Sequence, residues 1–254
     1  MSLIFFNFYR VYLLLLGILF TLIFFFTSPV CADPKVYSPI VKKGERAFEY
    51  RGNTTVDDDD NKDGSQRHVV ELEYGVTDWW HTAVFGRWNK PATGSLGYAL
   101  TAWENIFQLT PKGKYWLDVG IYLEYKLADD DDDSDQFEGK LLFEKRINNY
   151  QNLLNLTIEQ DLEAKGDDDL VFEYAWRTRK KIADHMKVGF EAFGKLGELG
   201  DLKGLEDQEH RIGPVFYHEF HIGSLEIEYD LAWLIGLTDP TPDNTFRWKI
   251  EIPF

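Results

Sequence analysis

Cysteine is almost missing from this chain: Cys31 is the only one, and it falls in an N-terminal apolar stretch. That excludes a disulfide framework, so the fold has to rest on backbone pairing and burial. A second long hydrophobic run is also missing. After Asp33 nothing approaches the roughly 20 apolar residues that a spanning helix needs. Basic residues are in deficit, with 27 Lys and Arg against 43 Asp and Glu and a formal charge of −16. No basic stripe is available for a nucleic-acid surface, so no nucleic-acid partner is expected. Catalytic signatures are lacking too. There is no Gly-x-Ser-x-Gly, and His218-Glu219-Phe220-His221 is one residue short of His-Glu-x-x-His. In extended chain His218 and His221 point to opposite faces and make poor co-ligands, and Ser224 beside them lies at a turn. No catalytic residue and no cofactor is expected.

What the chain does contain begins with a leader. Arg10 is the one positive charge before an apolar run from Val11 to Phe26, followed by Thr27-Ser28-Pro29-Val30-Cys31-Ala32. This is the tripartite shape of a secretory signal peptide, residues 1–32, with cleavage after Ala32. An uncleaved anchor helix is the alternative, but Pro29 and small residues stand where a stop-transfer helix would carry basic ones. The remainder, 33–254, reads as one domain.

From Gly44 onward the pattern is alternation with a period of two, in segments of about ten residues, the length of a tilted transmembrane strand. In the last segment Phe246, Trp248, Ile250, Ile252 and Phe254 share one face, with Arg247, Lys249 and Glu251 on the other. Leu225 to Ile235 repeats this against Glu226, Glu228 and Asp230; Leu170 to Trp176 and Tyr115 to Tyr125 do the same. Strands are placed near 44–52, 66–76, 80–88, 96–108, 115–127 and 136–147. Six more fall near 150–162, 170–181, 186–197, 208–220, 224–236 and 245–254. Connections alternate between long polar ones, such as Asn53–Ser65 and Ala128–Asp135, and short ones, such as Asn148-Asn149. An up-and-down outer-membrane barrel has that alternation, with long loops outside and short turns in the periplasm; a Greek-key sandwich has no reason for it. The fold expected is therefore all-β, an antiparallel transmembrane β-barrel of about 12 strands. Several of the eight tryptophans sit near strand ends, as in an interfacial girdle, whereas Trp103 and Trp176 fit a packed interior equally well.

The ending Phe246 to Phe254 resembles the C-terminal signal read by barrel-insertion machinery, with Pro253 as a departure. Tyr74-Gly75-Val76-Thr77-Asp78-Trp79-Trp80, Trp103-Glu104-Asn105, Tyr115-Trp116-Leu117-Asp118-Val119-Gly120 and Gly236-Leu237-Thr238-Asp239 resemble a family of largely uncharacterised, porin-like proteobacterial outer-membrane barrels. So do Glu173-Tyr174-Ala175-Trp176 and Gly213-Pro214-Val215. The resemblance implies a barrel in the bacterial outer membrane and names no substrate.

Two groups of charges remain. The acidic runs Asp57–Asp60, Asp129–Asp133 and Asp167–Asp169 fall in outward loops, where they either keep the rim solvated or bridge divalent cations to lipopolysaccharide. Asp59, Asn61, Asp63 and Gly64 match half an EF-hand loop, but Val70 stands where the closing Glu should be, so no metal site is assigned. The inward faces carry the acids Glu71, Glu73, Asp118, Glu124, Glu138 and Glu144, and beyond them Glu173, Glu191, Glu226, Glu228 and Asp230. Basic partners there are Lys140, Arg146, Arg177, Arg211, Arg247 and Lys249. Such a lumen is either a hydrated pore or one filled by salt bridges, since a twelve-strand interior lies between side-chain-filled small barrels and open porins. A narrow porin-like channel for small hydrophilic solutes with mild cation preference is expected, with a non-conducting barrel in outer-membrane lipid and lipopolysaccharide as the alternative. An arginine ladder for acidic sugars is not present. The reading predicts a product that leaves the membrane fraction only with detergent; a chain that stays dissolved without detergent would overturn it.

Overall fold

The computed structural model describes residues 34–130, 134–162, 170–223 and 225–254. The leader, the run Asp167–Asp169 and most of Asp129–Asp133 lie outside the described residues.

The strands are β1 (Arg46–Val56), β2 (Gln66–Gly75), β3 (Trp80–Lys90), β4 (Gly97–Gln108), β5 (Asp118–Ala128) and β6 (Gln136–Ile147). They continue as β7 (Tyr150–Asp161), β8 (Val171–Ala183), β9 (Met186–Glu198), the two-residue β10 (Asp201–Leu202) and β11 (Glu209–Ile222). The last are β12 (Leu225–Gly236) and β13 (Asn244–Pro253). Setting aside β10, which only extends the loop after β9, twelve strands pair in chain order, every neighbour antiparallel. The ends of the sheet meet: β1 pairs with β13 from Ala47↔Pro253 to Val56↔Asn244. Closure leaves the wall without an edge.

Local chemistry explains the strand limits. β1 runs past its expected end because Asn53, Thr54 and Thr55 stay in register with β13 on one side and, as far as Thr54, with β2 on the other. The first outer loop therefore begins at Asp57. β5 starts later than the alternation suggests, because Asp118 Oδ1 accepts from Gly113 N at 2.7 Å and so caps the preceding turn. Tyr115 and Trp116 are left outside the strand, exposed at the rim, where Lys145 donates to the Trp116 carbonyl and lies over its ring. The turn between β6 and β7 needs a left-handed residue, and Asn148 supplies it with φ of 53°. Gly223 does the same between β11 and β12, with φ of 65°.

The period of two sorts the side chains. Outward faces carry Leu72, Val84, Leu141, Phe190 and Leu231, all exposed, forming a greasy wall suited to lipid and not to water. Trp103 belongs to this wall, 54 % exposed, its Nε1 donating to Thr82 Oγ1; it is not an interior aromatic. Trp79 and Trp80 stack on Phe107 at the rim of short turns, while Trp248 leans toward His68 nearer the opposite rim. Trp248 also lies over Gly52, where a Cβ would meet the ring at 2.7 Å, so that glycine makes room for it.

Inward faces mix charge with apolar groups. Val69, Phe85, Leu100 and Ala102 form one buried cluster, and Leu153, Ala175, Phe193, Val215, Ala232 and Leu234 belong to another. Replacing Leu231 by Arg on the outer wall should destabilise the barrel in lipid vesicles by about 2–4 kcal/mol, read from a denaturant-unfolding midpoint. An unchanged midpoint would mean that this wall does not contact hydrocarbon.

Candidate functional site: the lumen and the segment that crosses it

The residues expected to line the lumen fall into three groups by depth and exposure. Glu71, Glu124, Glu138, Glu144, Glu191, Arg211, Asp230 and Arg247 are buried, and Glu73, Lys140, Glu173, Arg177 and Lys249 line the same interior. Arg146 and Glu226 sit at the mouth ringed by the short turns, more open to solvent, with Glu228 one step inside. Asp118 is at that mouth too, occupied as a turn cap.

Alternation gives no sign of the segment before β1. Residues 34–41 lie inside the barrel and run from Pro34, deep in the lumen beside Arg247, down to Val41 near the short-turn mouth. Their backbone is handled as a strand would be, but by side chains. Tyr37 N donates to Asn155 Oδ1 at 2.8 Å, and Asn155 Nδ2 returns a bond to the Tyr37 carbonyl at 2.9 Å. Val41 N donates to Gln108 Oε1 at 2.8 Å, and Arg247 Nη1 donates to the Pro34 carbonyl at 2.6 Å. These contacts satisfy peptide groups that burial would otherwise leave without partners. Side chains add to the hold. Val36 packs into the cluster around Leu153, Val215 and Leu234, and Tyr37 packs on Tyr122, Ile106 and Leu142. Ser38 Oγ donates to Glu144 Oε2 at 2.6 Å, and Pro39 rests against Gly120.

Lys35 is the electrostatic anchor. Its Nζ lies 3.2 Å from Glu49, 3.1 Å from Glu71 and 3.6 Å from Glu73. Arg51 pairs with Glu49 and Glu71, and Lys249 reaches Glu49 at 3.5 Å. The Tyr37 hydroxyl donates to Glu104 at 3.0 Å, and Tyr122 donates to the same oxygen at 2.8 Å. The sequence reading does not single out Glu49, which lies within the first strand, or Glu104, which lies within a family-like tripeptide. Elsewhere the charges close on each other. Arg247 bridges Glu191 at 2.5 Å and Asp230 at 3.0 Å, while Lys126 and Lys140 share Glu138.

Above Tyr37 the lumen opens into a vestibule of about 440 Å³, lined by seven Lys or Arg side chains and five Glu. That volume suits a small-molecule ligand or roughly 15 waters. Below the segment, the space beside Arg179, Lys187 and Glu228 is about 40 Å³, room for little more than a water, and a wider space of about 460 Å³ beside Arg146, Gln151 and Lys181 opens at the short-turn mouth. The acidic outer loop is occupied with its own backbone. Asp57 Oδ1 accepts from Asp59 N, and Asp57 Oδ2 accepts from Asp243 N in the last outer loop. Hydrogen bonds from the Asn61 backbone and side chain hold the Asp59 carboxyl below its ordinary range.

No protein-family model matches the chain, and no curated protein matches its sequence. Solved structures do match. An outer membrane channel from Pseudomonas putida F1 is 10% identical with a TM-score of 0.62, covering 88% of this chain and 100% of that one. The NanC porin is 8% identical with a TM-score of 0.56, and the KdgM porin 6% with 0.53; each covers 82% of this chain and 98% of the porin. At such identities the likeness is one of fold, and the fold is that of a porin-like outer-membrane β-barrel.

Proposed function

We propose that the chain is an outer-membrane channel for small hydrophilic solutes, narrowed at mid-depth by its own residues 34–41. The observation that carries this reading is the vestibule of about 440 Å³, into which the segment sends Tyr37 among the side chains of the wall. A barrel meant only as a structural shell would have no need of a polar vestibule lined in part by a separable piece of chain. Lipid and lipopolysaccharide surround the wall in this reading, and the barrel-insertion machinery reads the strand ending in Phe254. Membership of the porin-like proteobacterial family goes with it.

The mild cation preference is assigned to the narrowing and not to the vestibule, where basic groups outnumber acidic ones. Around Lys35 stand Glu49, Glu71, Glu73 and Glu104, with Arg51 and Lys249 as the other cations. Removing Lys35 leaves carboxylates in excess at the tightest point, where low-dielectric walls make each charge count most. The second reading, a non-conducting barrel, is favoured by the same ion pairs, which fill the section around Arg51 and Arg247.

Planar-bilayer recording separates the two. The full chain should give small steady steps, and deletion of residues 34–41 should raise the unit conductance several-fold. Lys35→Met should move the reversal potential in a salt gradient toward that of the cation. Silence from all three proteins would establish the non-conducting barrel, and equal conductance with and without the segment would remove its role in narrowing the channel.

A further inference from the structure

The mouth ringed by short turns holds a second cluster that the channel reading does not use. Glu219 and His221 are two apart on β11 and share its inward face; on β12 the same face carries Glu226 and Glu228. The register sets His221 opposite Glu226 and Glu219 opposite Glu228. The turn between β8 and β9 brings in His185, whose carbonyl accepts from Glu219 N at 3.0 Å. His185 Nδ1 lies 3.3 Å from Glu219 Oε1, and His221 Nε2 lies 3.8 Å from Glu226 Oε2. The two imidazole rings stand 5.9 Å apart, edge to face. One donor atom from each of His185, Glu219 and His221 falls within 4.8 Å of the others, and Glu219, Glu226 and Glu228 form an overlapping set within the same limit.

We propose that this cluster binds one divalent transition ion of the zinc class, with His185, Glu219 and His221 as ligands and Glu226 or water completing the shell. Two imidazoles and a carboxylate are the donor set that zinc, nickel and copper prefer, whereas calcium and magnesium want oxygen alone. Bonds of about 2.0–2.1 Å in a tetrahedron put donor atoms about 3.3 Å apart. The present spread, within 4.8 Å, exceeds that by at most about 1.5 Å. His185 and His221 have side chains 55% and 48% exposed, so rotation about their χ angles can close the gap without moving the strands.

Charge supports an ion here. Among the described residues no lysine or arginine lies within 4.0 Å of Glu219, Glu226 or Glu228; Arg179, Lys187 and Lys249, which line the same space, stand farther off. The comparable trio Glu49, Glu71 and Glu73 already holds a cation, the Lys35 ammonium. The histidine that sequence proximity suggests as a partner, His218, is not a ligand: it stacks outward between Phe216, Phe220 and Tyr229.

The test uses the full chain without a polyhistidine tag, stripped with chelator in detergent and titrated calorimetrically with zinc chloride. One saturable equivalent is expected. Partners behind a ligand alone are worth about 10–100-fold in metal affinity, so His185→Ala and His221→Ala should each weaken binding by at least about tenfold. Cobalt absorption gives an independent readout, and intense visible bands should appear in the native chain and vanish in the double variant. His210→Ala, at the opposite rim, should leave zinc affinity unchanged. The proposal is overturned if no saturable equivalent binds, if the double variant binds as tightly as the native chain, or if calcium competes at equal concentration.

Discussion

Hydrocarbon offers a peptide group no partner, and the rest of this structure follows from that one constraint. Every N–H and C=O in the wall has to be paired within the wall, so the sheet cannot end. The seam between β1 and β13 is where the requirement is met, and it brings together segments about 200 residues apart in the chain, from Ala47 with Pro253 to Val56 with Asn244. Closure with twelve strands fixes the girth. It is wider than the small barrels whose own side chains fill them, and narrower than the large porins. Part of the interior left over is taken by residues 34–41, which make backbone bonds with Asn155, Gln108 and Arg247.

The inward charges serve the same closure. Burying a carboxylate or guanidinium alone is costly, and breaking a buried pair by removing one member costs about 3–5 kcal/mol because the other is stranded. Arg247 on β13 is tied to Glu191 on β9 and Asp230 on β12, and Arg51 on β1 is tied to Glu71 on β2. Slippage by one residue would turn these groups into lipid and the apolar face into the lumen. The ion pairs therefore fix register as much as they add stability.

Alternation made the wall legible because lipid on one side and polar lumen on the other impose opposite demands on neighbouring residues. Phe246, Trp248 and Ile250 against Arg247 and Lys249 leave no doubt about which way each points. Strand limits were less legible where a single side chain decides them, as Asp118 does by capping its turn or Asn53 by continuing a ladder. The lumen segment was not legible at all. Pro34-Lys35-Val36-Tyr37-Ser38-Pro39 has no period, since its partners are side chains from distant strands, and Asn155, its main partner, reads locally as one more polar strand position. The convergence of His185 with His221 was hidden for a related reason: it depends on a turn from one hairpin reaching the edge of the next.

The stretch from Lys42 to Glu45, pinned to Gly75 by backbone bonds in both directions, has a consequence for competition. A short leash of this kind holds its cargo beside the binding seat at an effective concentration on the order of millimolar or above. A dissolved amine or sugar that would take the place of Lys35 and Tyr37 competes with a ligand that never diffuses away. Only a solute far more concentrated than that, or one that fits the seat better than the chain's own residues, would displace them.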